Sequence, residues 1–305
     1  MTTKTQSSPL LMLFQRASFL FPIAALLSIV MFQIFPDSLS PTRQLAILAV
    51  IILLFGFPHG ALDPWIAKQI GLGNTPMQVV IFNCVYLAIA ALVVLVWLWL
   101  PALSLSVFLL ISAWHFSDDW SKALNILLRL TAGALLLLMP IGFHTETVST
   151  IFEQLSGVNG GVLSHSLALP AWLLTTAMLV VVGGALLKQQ WQCALELVTL
   201  LILAYLTPPL VYFTLYFCLL HSPRHLAGLL IAAPTPEHPR LAKMMVIYTA
   251  ATMVLLGVLW WLWSALPANT LILKIIFIGL AAVTVPHMML ISTVQFQKRQ
   301  AMSSI

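Results

Sequence analysis

PLVYFTLYFCLLHSPRHLAGLLIA, residues 209–232, is the stretch whose reading decides the fold. As a helix rising 1.5 Å per residue it spans about 36 Å, enough to cross a hydrocarbon core of about 30 Å. Its second half nevertheless carries His221, Pro223, Arg224 and His225. Ionisable groups inside a membrane span are costly and face a bundle interior or a cavity, so the stretch reads as a membrane helix that serves a site.

The rest of the chain agrees. Of 305 residues, 61% are hydrophobic and 7% charged, and the mean hydropathy is +1.04. Thirteen Lys and Arg with eight Asp and Glu cannot cover a water-soluble globule of this size, so lipid is the expected solvent. The formal charge of +5 comes from scattered residues rather than a basic run, which excludes a nucleic-acid partner. Cys84, Cys193 and Cys218 lie in apolar segments without CxxC spacing, so neither a disulfide frame nor a thiolate metal site is indicated. The first apolar run, residues 17–35, follows Lys4 and Arg16 but lacks a small-x-small cleavage site, and is expected to stay as a helix.

Hydropathy predicts an all-α, polytopic membrane helical bundle in a single domain over 1–305, with spans at 17–35, 44–62, 78–100, 103–118, 125–142, 170–187, 192–207, 209–232, 243–265 and 270–296. The fourth is short, and Thr-Pro-Pro at 207–209 alone separates the seventh from the eighth, so eight spans is the alternative. With the N-terminus inside, Lys4, Arg16, Lys68, Lys122, Arg129, Lys188, Arg240, Lys243, Lys298 and Arg299 fall on inner segments, against Arg43 and Lys274 outside. That asymmetry predicts cytoplasmic termini in the cell inner membrane. The long connection FHTETVSTIFEQLSGVNGGVLSHSLALP, residues 143–170, has no Lys or Arg and reads as an outer loop.

Five of eight histidines fall in or at the ends of spans: His59, His115, His221, His225 and His287. In the ten-span arrangement all five lie on even-numbered helices at one depth, in the cytoplasmic half. His144, His165 and His238 lie in loops and are expected to be solvated. A lone buried histidine is more often a hydrogen-bonded core residue, but five at one depth point to a metal or a proton path. The spacing of His221 and His225 puts both on one helical face, able to offer adjacent metal positions. Pro58, Pro223 and Pro286 accompany these histidines and are expected to kink their helices beside a cavity. Asp63, Asp118 and Asp119 follow His59 and His115 by three or four residues; they could accept from imidazole N–H groups, pair with Arg224, or simply cap helix ends.

The motifs FPHGALD, WHFSDDW, HSPRH and VPHMML, in this order, resemble the Brp/Blh family of bacterial and archaeal membrane proteins, the β-carotene 15,15′-dioxygenases, over residues 50–296. The resemblance implies an Fe(II)-dependent enzyme that cleaves the central double bond of lipid-dissolved β-carotene with O2 into two retinal molecules, with an opsin as downstream acceptor. It implies His59, His115, His221 and His225 as iron ligands, with His287 as an additional ligand or a residue behind them. Four neutral imidazoles would leave open positions on the metal. A substrate tunnel is expected near the motifs, with Trp114, Phe116, Trp120, Tyr212, Tyr216, Phe217, Met288 and Met289 as candidates. The competing readings are a di-iron hydroxylase or desaturase, a bis-histidine haem protein, and a transporter or proton pathway using intramembrane histidine. An intramembrane zinc protease is disfavoured by the lack of HExxH.

Overall fold

The computed structural model describes residues 9–35 and 40–303, which are helical nearly throughout, with no strand among them. Lys4, one of the residues used above to orient the chain, lies outside the described residues. In chain order the α-helices are α1 (Pro9–Ile34), α2 (Pro41–Ile51), α3 (Asp63–Gln69), α4 (Pro76–Trp99), α5 (Pro101–Ser117), α6 (Ile126–Phe143), α7 (Thr145–Ser156), α8 (Val158–Leu167), α9 (Ala171–Leu187), α10 (Trp191–Leu206), α11 (Pro209–Leu215), α12 (Ser222–Ala232), α13 (His238–Leu262) and α14 (Ala268–Ser303). Prolines open α2, α4, α5 and α11, at the helical position where a missing N–H costs nothing. Thr75 and Gln78 close a capping box on α4, and Asn125 caps α6.

Five helical stretches are long and apolar enough to cross a membrane: 41–69, 76–99, 126–143, 235–262 and 268–297. A sixth arises if α8 and α9, bent by 61° at their junction, count as one. These are the helices of a membrane protein. α4 and α13 turn almost all of their apolar residues outward, including Val80, Leu92, Leu95, Val254 and Trp261, a surface that water would not tolerate at this extent. α14 is the buried one. Leu271, Leu273, Ile275, Ile276, Ile278 and Leu280 are all in its packed part, and it touches α4, α7, α2 and α5.

In lipid, helices associate through close packing rather than through escape from water, and small residues set how near they come. Gly133 does this between α6 and α5. A Cβ there would run into the Ala113 carbonyl oxygen and the Ser117 backbone, so only glycine lets α6 lie against the turn of α5 that carries His115.

Three expectations are corrected. The connection at 143–170 is not an open loop: it forms α7 and α8, packed on each other. Val148, Ile151, Phe152 and Leu155 of α7 are buried at i, i+3, i+4 and i+7 spacing, an amphipathic pattern too one-sided to register as a membrane span. Of the histidines expected to be solvated, His165 is exposed, but His238 is buried and donates through Nε2 to the Leu230 carbonyl at 2.9 Å. His144 donates to the Ala204 carbonyl at 2.9 Å. Finally, the three prolines do not act alike. Pro58 and Pro223 sit just after short π-helical segments, Ile52–Gly56 and Tyr216–His221, at the first turn of the next helical piece. Pro286 lies within α14, which continues through it.

Candidate metal centre

Each histidine is delivered by a different local device. The π segment Ile52–Gly56 leads into a 3-10 turn, Phe57–Gly60, that presents His59. His115 is in the last turn of α5, and His221 is the last residue of the second π segment, with His225 one turn into α12. His287 follows Pro286 on α14. π segments recur at functional sites because they re-aim the side chains that follow them.

The five rings converge. From His59, ring centroids lie at 6.4 Å to His115, 5.7 Å to His221, 6.1 Å to His225 and 5.4 Å to His287. His115 is 4.8 Å from His221 and 5.4 Å from His287, and His225 is 5.0 Å from His287. All but His225 are buried, and His225 is half-buried.

Hydrogen bonding fixes which nitrogens remain available. His59 Nδ1 donates to the Gly56 carbonyl at 2.8 Å, His221 Nδ1 to Asp119 at 3.1 Å, and His287 Nδ1 to Asp63 at 2.7 Å. An Nδ1–H held this way leaves the Nε2 lone pair free. The Nε2 atoms of His115, His221, His225 and His287 are buried without any hydrogen-bond partner. Buried polar atoms are rarely left so, and four together in one cluster call for a ligand. His59, His115 and His287 can bring candidate ligand atoms within 4.8 Å of one another, so these three buried histidines could hold a metal ion. Neutral imidazole nitrogens suit iron, zinc, copper or nickel.

The profile of the beta-carotene 15,15′-dioxygenase family matches residues 50–295, a stretch that contains all five of these histidines. The chain belongs to this family. It is thereby an oxidoreductase of the carotenoid dioxygenase kind. It is similar to the beta-carotene 15,15′-dioxygenase of uncultured marine bacterium 66A03, with 31% identity over 252 residues, 79% of this chain and 90% of the relative. It is also similar to the probable beta-carotene 15,15′-dioxygenase Blh of Halobacterium salinarum, with 25% identity over 301 residues, 84% of this chain and 85% of the relative. No solved structure matches the chain.

Around the histidines of this dioxygenase family member the carboxylates divide. Asp63 accepts from His287 and from the Tyr86 hydroxyl at 2.9 Å; Asp119 accepts from His221 and from the Tyr216 hydroxyl. Asp118 goes the other way and pairs with Arg129, because adjacent residues of the 3-10 turn Asp118–Trp120 point about 120° apart. Arg224 does not pair with an aspartate carboxylate. Its Nη2 lies 2.6 Å from Glu196 Oε1 on α10, and its Nη1 donates to the Asp119 backbone carbonyl at 3.0 Å. Glu196 and Tyr86 are the participants that sequence reading missed. Glu196 is an acid inside an apolar segment, a signal of the same kind as the histidines. Nothing in the sequence singles out Tyr86.

Two kinds of space reach the histidines. A polar cavity of about 570 Å³ runs from exposed Ser121, Lys122, Gln190 and Gln192 to Asp119, Glu196, Arg224, His115, His221 and His225. A separate, much smaller cleft of about 10 Å³ is lined by residues including His59, His115, Phe108, Ser112, Phe116, Phe213 and Phe217. It shares Phe108, Ser112, Phe116 and Phe213 with an apolar cavity of about 80 Å³. That cavity in turn shares Ile151, Pro209 and Leu210 with one of about 300 Å³.

The residues expected to form a tunnel are thus separated by the structure. Phe116 and Phe217 line the apolar cleft. Trp120 lines the polar cavity and donates to Glu196 at 3.2 Å. Tyr212 is buried with its hydroxyl on the Leu136 carbonyl, and Tyr216 serves Asp119. Met288 is half-buried beside His287, whereas Trp114 and Met289 are more than half exposed on the outer surface.

Proposed function

We propose that this chain cleaves the central 15,15′ double bond of β-carotene with O2 to give two molecules of retinal, at an iron centre held by His59, His115, His221 and His225 with His287 as a further ligand. The observation that carries the reading is the convergence of five imidazoles with four buried, unpartnered Nε2 atoms, in a chain of this family. Bound Fe(II) would supply the activation of O2, which no side chain provides.

The protein's own part is to bind, orient and exclude water. Gly56, Asp119 and Asp63 hold three imidazoles by Nδ1, so the Nε2 atoms face the centre without a search over tautomers or rotamers. The hydrocarbon reaches the centre from the side of Phe108, Phe116, Phe213 and Phe217, whose rings offer contact to a polyene and keep water from the reacting bond. A cleft of about 10 Å³ requires these rings to swing aside when substrate enters. Arg224, paired with Glu196, stays on the polar side, as does Trp120.

The chain lies as one domain in the cell inner membrane, multi-pass with ten spans and cytoplasmic termini, and an opsin takes up its retinal. Rings that converge on one point support a single mononuclear centre over a bis-histidine haem, whose two ligands face each other across a porphyrin. The deciding experiment is metal analysis of the purified protein with product analysis after incubation with β-carotene, Fe(II) and O2. Stoichiometric iron with retinal formation, both lost in His221→Ala while the protein still inserts and purifies, supports the reading. Iron-free protein that leaves β-carotene intact under these conditions overturns it.

A further inference from the structure

Two of the five histidines are backed in the same way. His287 Nδ1 meets Asp63, and the other oxygen of Asp63 meets the Tyr86 hydroxyl; His221 Nδ1 meets Asp119, and Asp119 meets the Tyr216 hydroxyl. These are two Tyr–Asp–His relays assembled from unrelated parts of the chain, α4 with α3 and α14 in one, the segment after α5 with the second π segment in the other. Both aspartates are almost completely buried, at 1% and 7% side-chain exposure.

The charges in this region balance in an informative way. Arg224 places its side-chain ion pair on Glu196, which leaves the carboxylates of Asp63 and Asp119 with an imidazole and a phenol each as partners. An isolated charge in the membrane interior is expensive unless paired, and two carboxylates one imidazole away from a common point match one divalent cation.

We propose that the two relays set the charge state of the metal: Asp63 and Asp119 balance a divalent ion through His287 and His221, and Tyr86 and Tyr216 are positioning residues that temper the two carboxylates. This rests on the functional reading above and adds what that reading lacks, the reason the centre favours the reduced ion. A tyrosine hydroxyl that donates to a carboxylate lowers its pull on the imidazole proton. Without the hydroxyl the imidazole gains imidazolate character and stabilises the more positive oxidation state. Loss of the carboxylate does the opposite. Tyr86 also lies 3.0 Å from the Val283 carbonyl and divides its one proton between two acceptors, so it tempers Asp63 less than Tyr216 tempers Asp119.

The test is a spectroelectrochemical titration of the iron-loaded full chain in lipid nanodiscs, with Fe(II) affinity measured in parallel. Tyr216→Phe and Tyr86→Phe should keep stoichiometric iron and lower the midpoint potential, Tyr216→Phe by more. Asp119→Asn and Asp63→Asn should raise the potential and weaken Fe(II) binding by about 10- to 100-fold. Opposite signs for the two substitutions on one relay cannot come from a merely structural role. The phenylalanine variants preserve shape and keep the test intact if an asparagine variant fails to fold. Wild-type protein that binds iron while all foldable variants keep its potential overturns this inference alone. Wild-type protein that takes up no Fe(II) overturns the functional reading and this inference together.

Discussion

Arg224 and Glu196 meet at 2.6 Å across α12 and α10, with the glutamate almost fully buried and the arginine about a quarter exposed. The arginine inside the HxxxH motif is therefore structural support for the Asp119 segment, through its second bond to the Asp119 carbonyl. Breaking a buried pair from one side leaves an uncompensated charge. Glu196→Leu is expected to destabilise the folded protein by about 3 kcal/mol, read as a lowered unfolding midpoint in detergent, whereas the double variant Glu196→Leu with Arg224→Met should recover most of the loss.

Replacing the histidines should separate ligands from scaffold. His115→Ala and His287→Ala are expected to lose bound iron and retinal formation together, because both contribute unpartnered Nε2 atoms to the cluster. His238→Ala removes a buried donor from the Leu230 carbonyl and should cost about 1–3 kcal/mol of stability while iron stoichiometry stays at the wild-type value. Iron content by elemental analysis alongside thermal unfolding checks both.

Gly133→Val tests whether helix approach places His115. The added side chain collides with the Ala113 carbonyl, and overpacking of this kind costs about 1–3 kcal/mol. The expected signature is a fall in iron affinity larger than that in Ala132→Ser, a substitution next door on α6 that adds a single atom.

The cleft next to His59 offers a specificity test. A Cβ at Gly56 would strike the ring of Phe217, so Gly56→Ala should push that ring toward the substrate side and raise KM for β-carotene. Phe217→Leu should widen the same passage and relieve the effect in the double variant. Steady-state kinetics of the three proteins in one detergent would reveal it.

How much of this could be read from the amino-acid sequence depended on contrast. A histidine in an apolar helix stands out, so all five members of the cluster were visible as candidates, and the long apolar segments were visible for the same reason. Partner choice was not. Asp118 and Asp119 are neighbours in sequence and part company in space, one to Arg129 and one to His221, because a helical step turns the side chain. Arg224 found Glu196 rather than an aspartate carboxylate, which depends on α10 lying near α12. Helix α7 was hidden because its buried apolar residues lie on one side only, and α8 because it packs through Gly160, Gly161 and Ser164 rather than through an apolar run. Tyr86 could not be singled out, since a tyrosine in a membrane helix has many ordinary roles and only the position of Asp63 gives it this one.

The π segments Ile52–Gly56 and Tyr216–His221 can be regarded as single-residue insertions in otherwise regular helices. Removing one residue from either would restore the α register and turn everything beyond it by about 100°. His59, or His221 with His225, would then turn away from the cluster while the helices themselves could still form. The difference between a plain membrane bundle and one that gathers five imidazoles is thus a matter of two extra residues, a short mutational distance over which such a centre can be gained or lost.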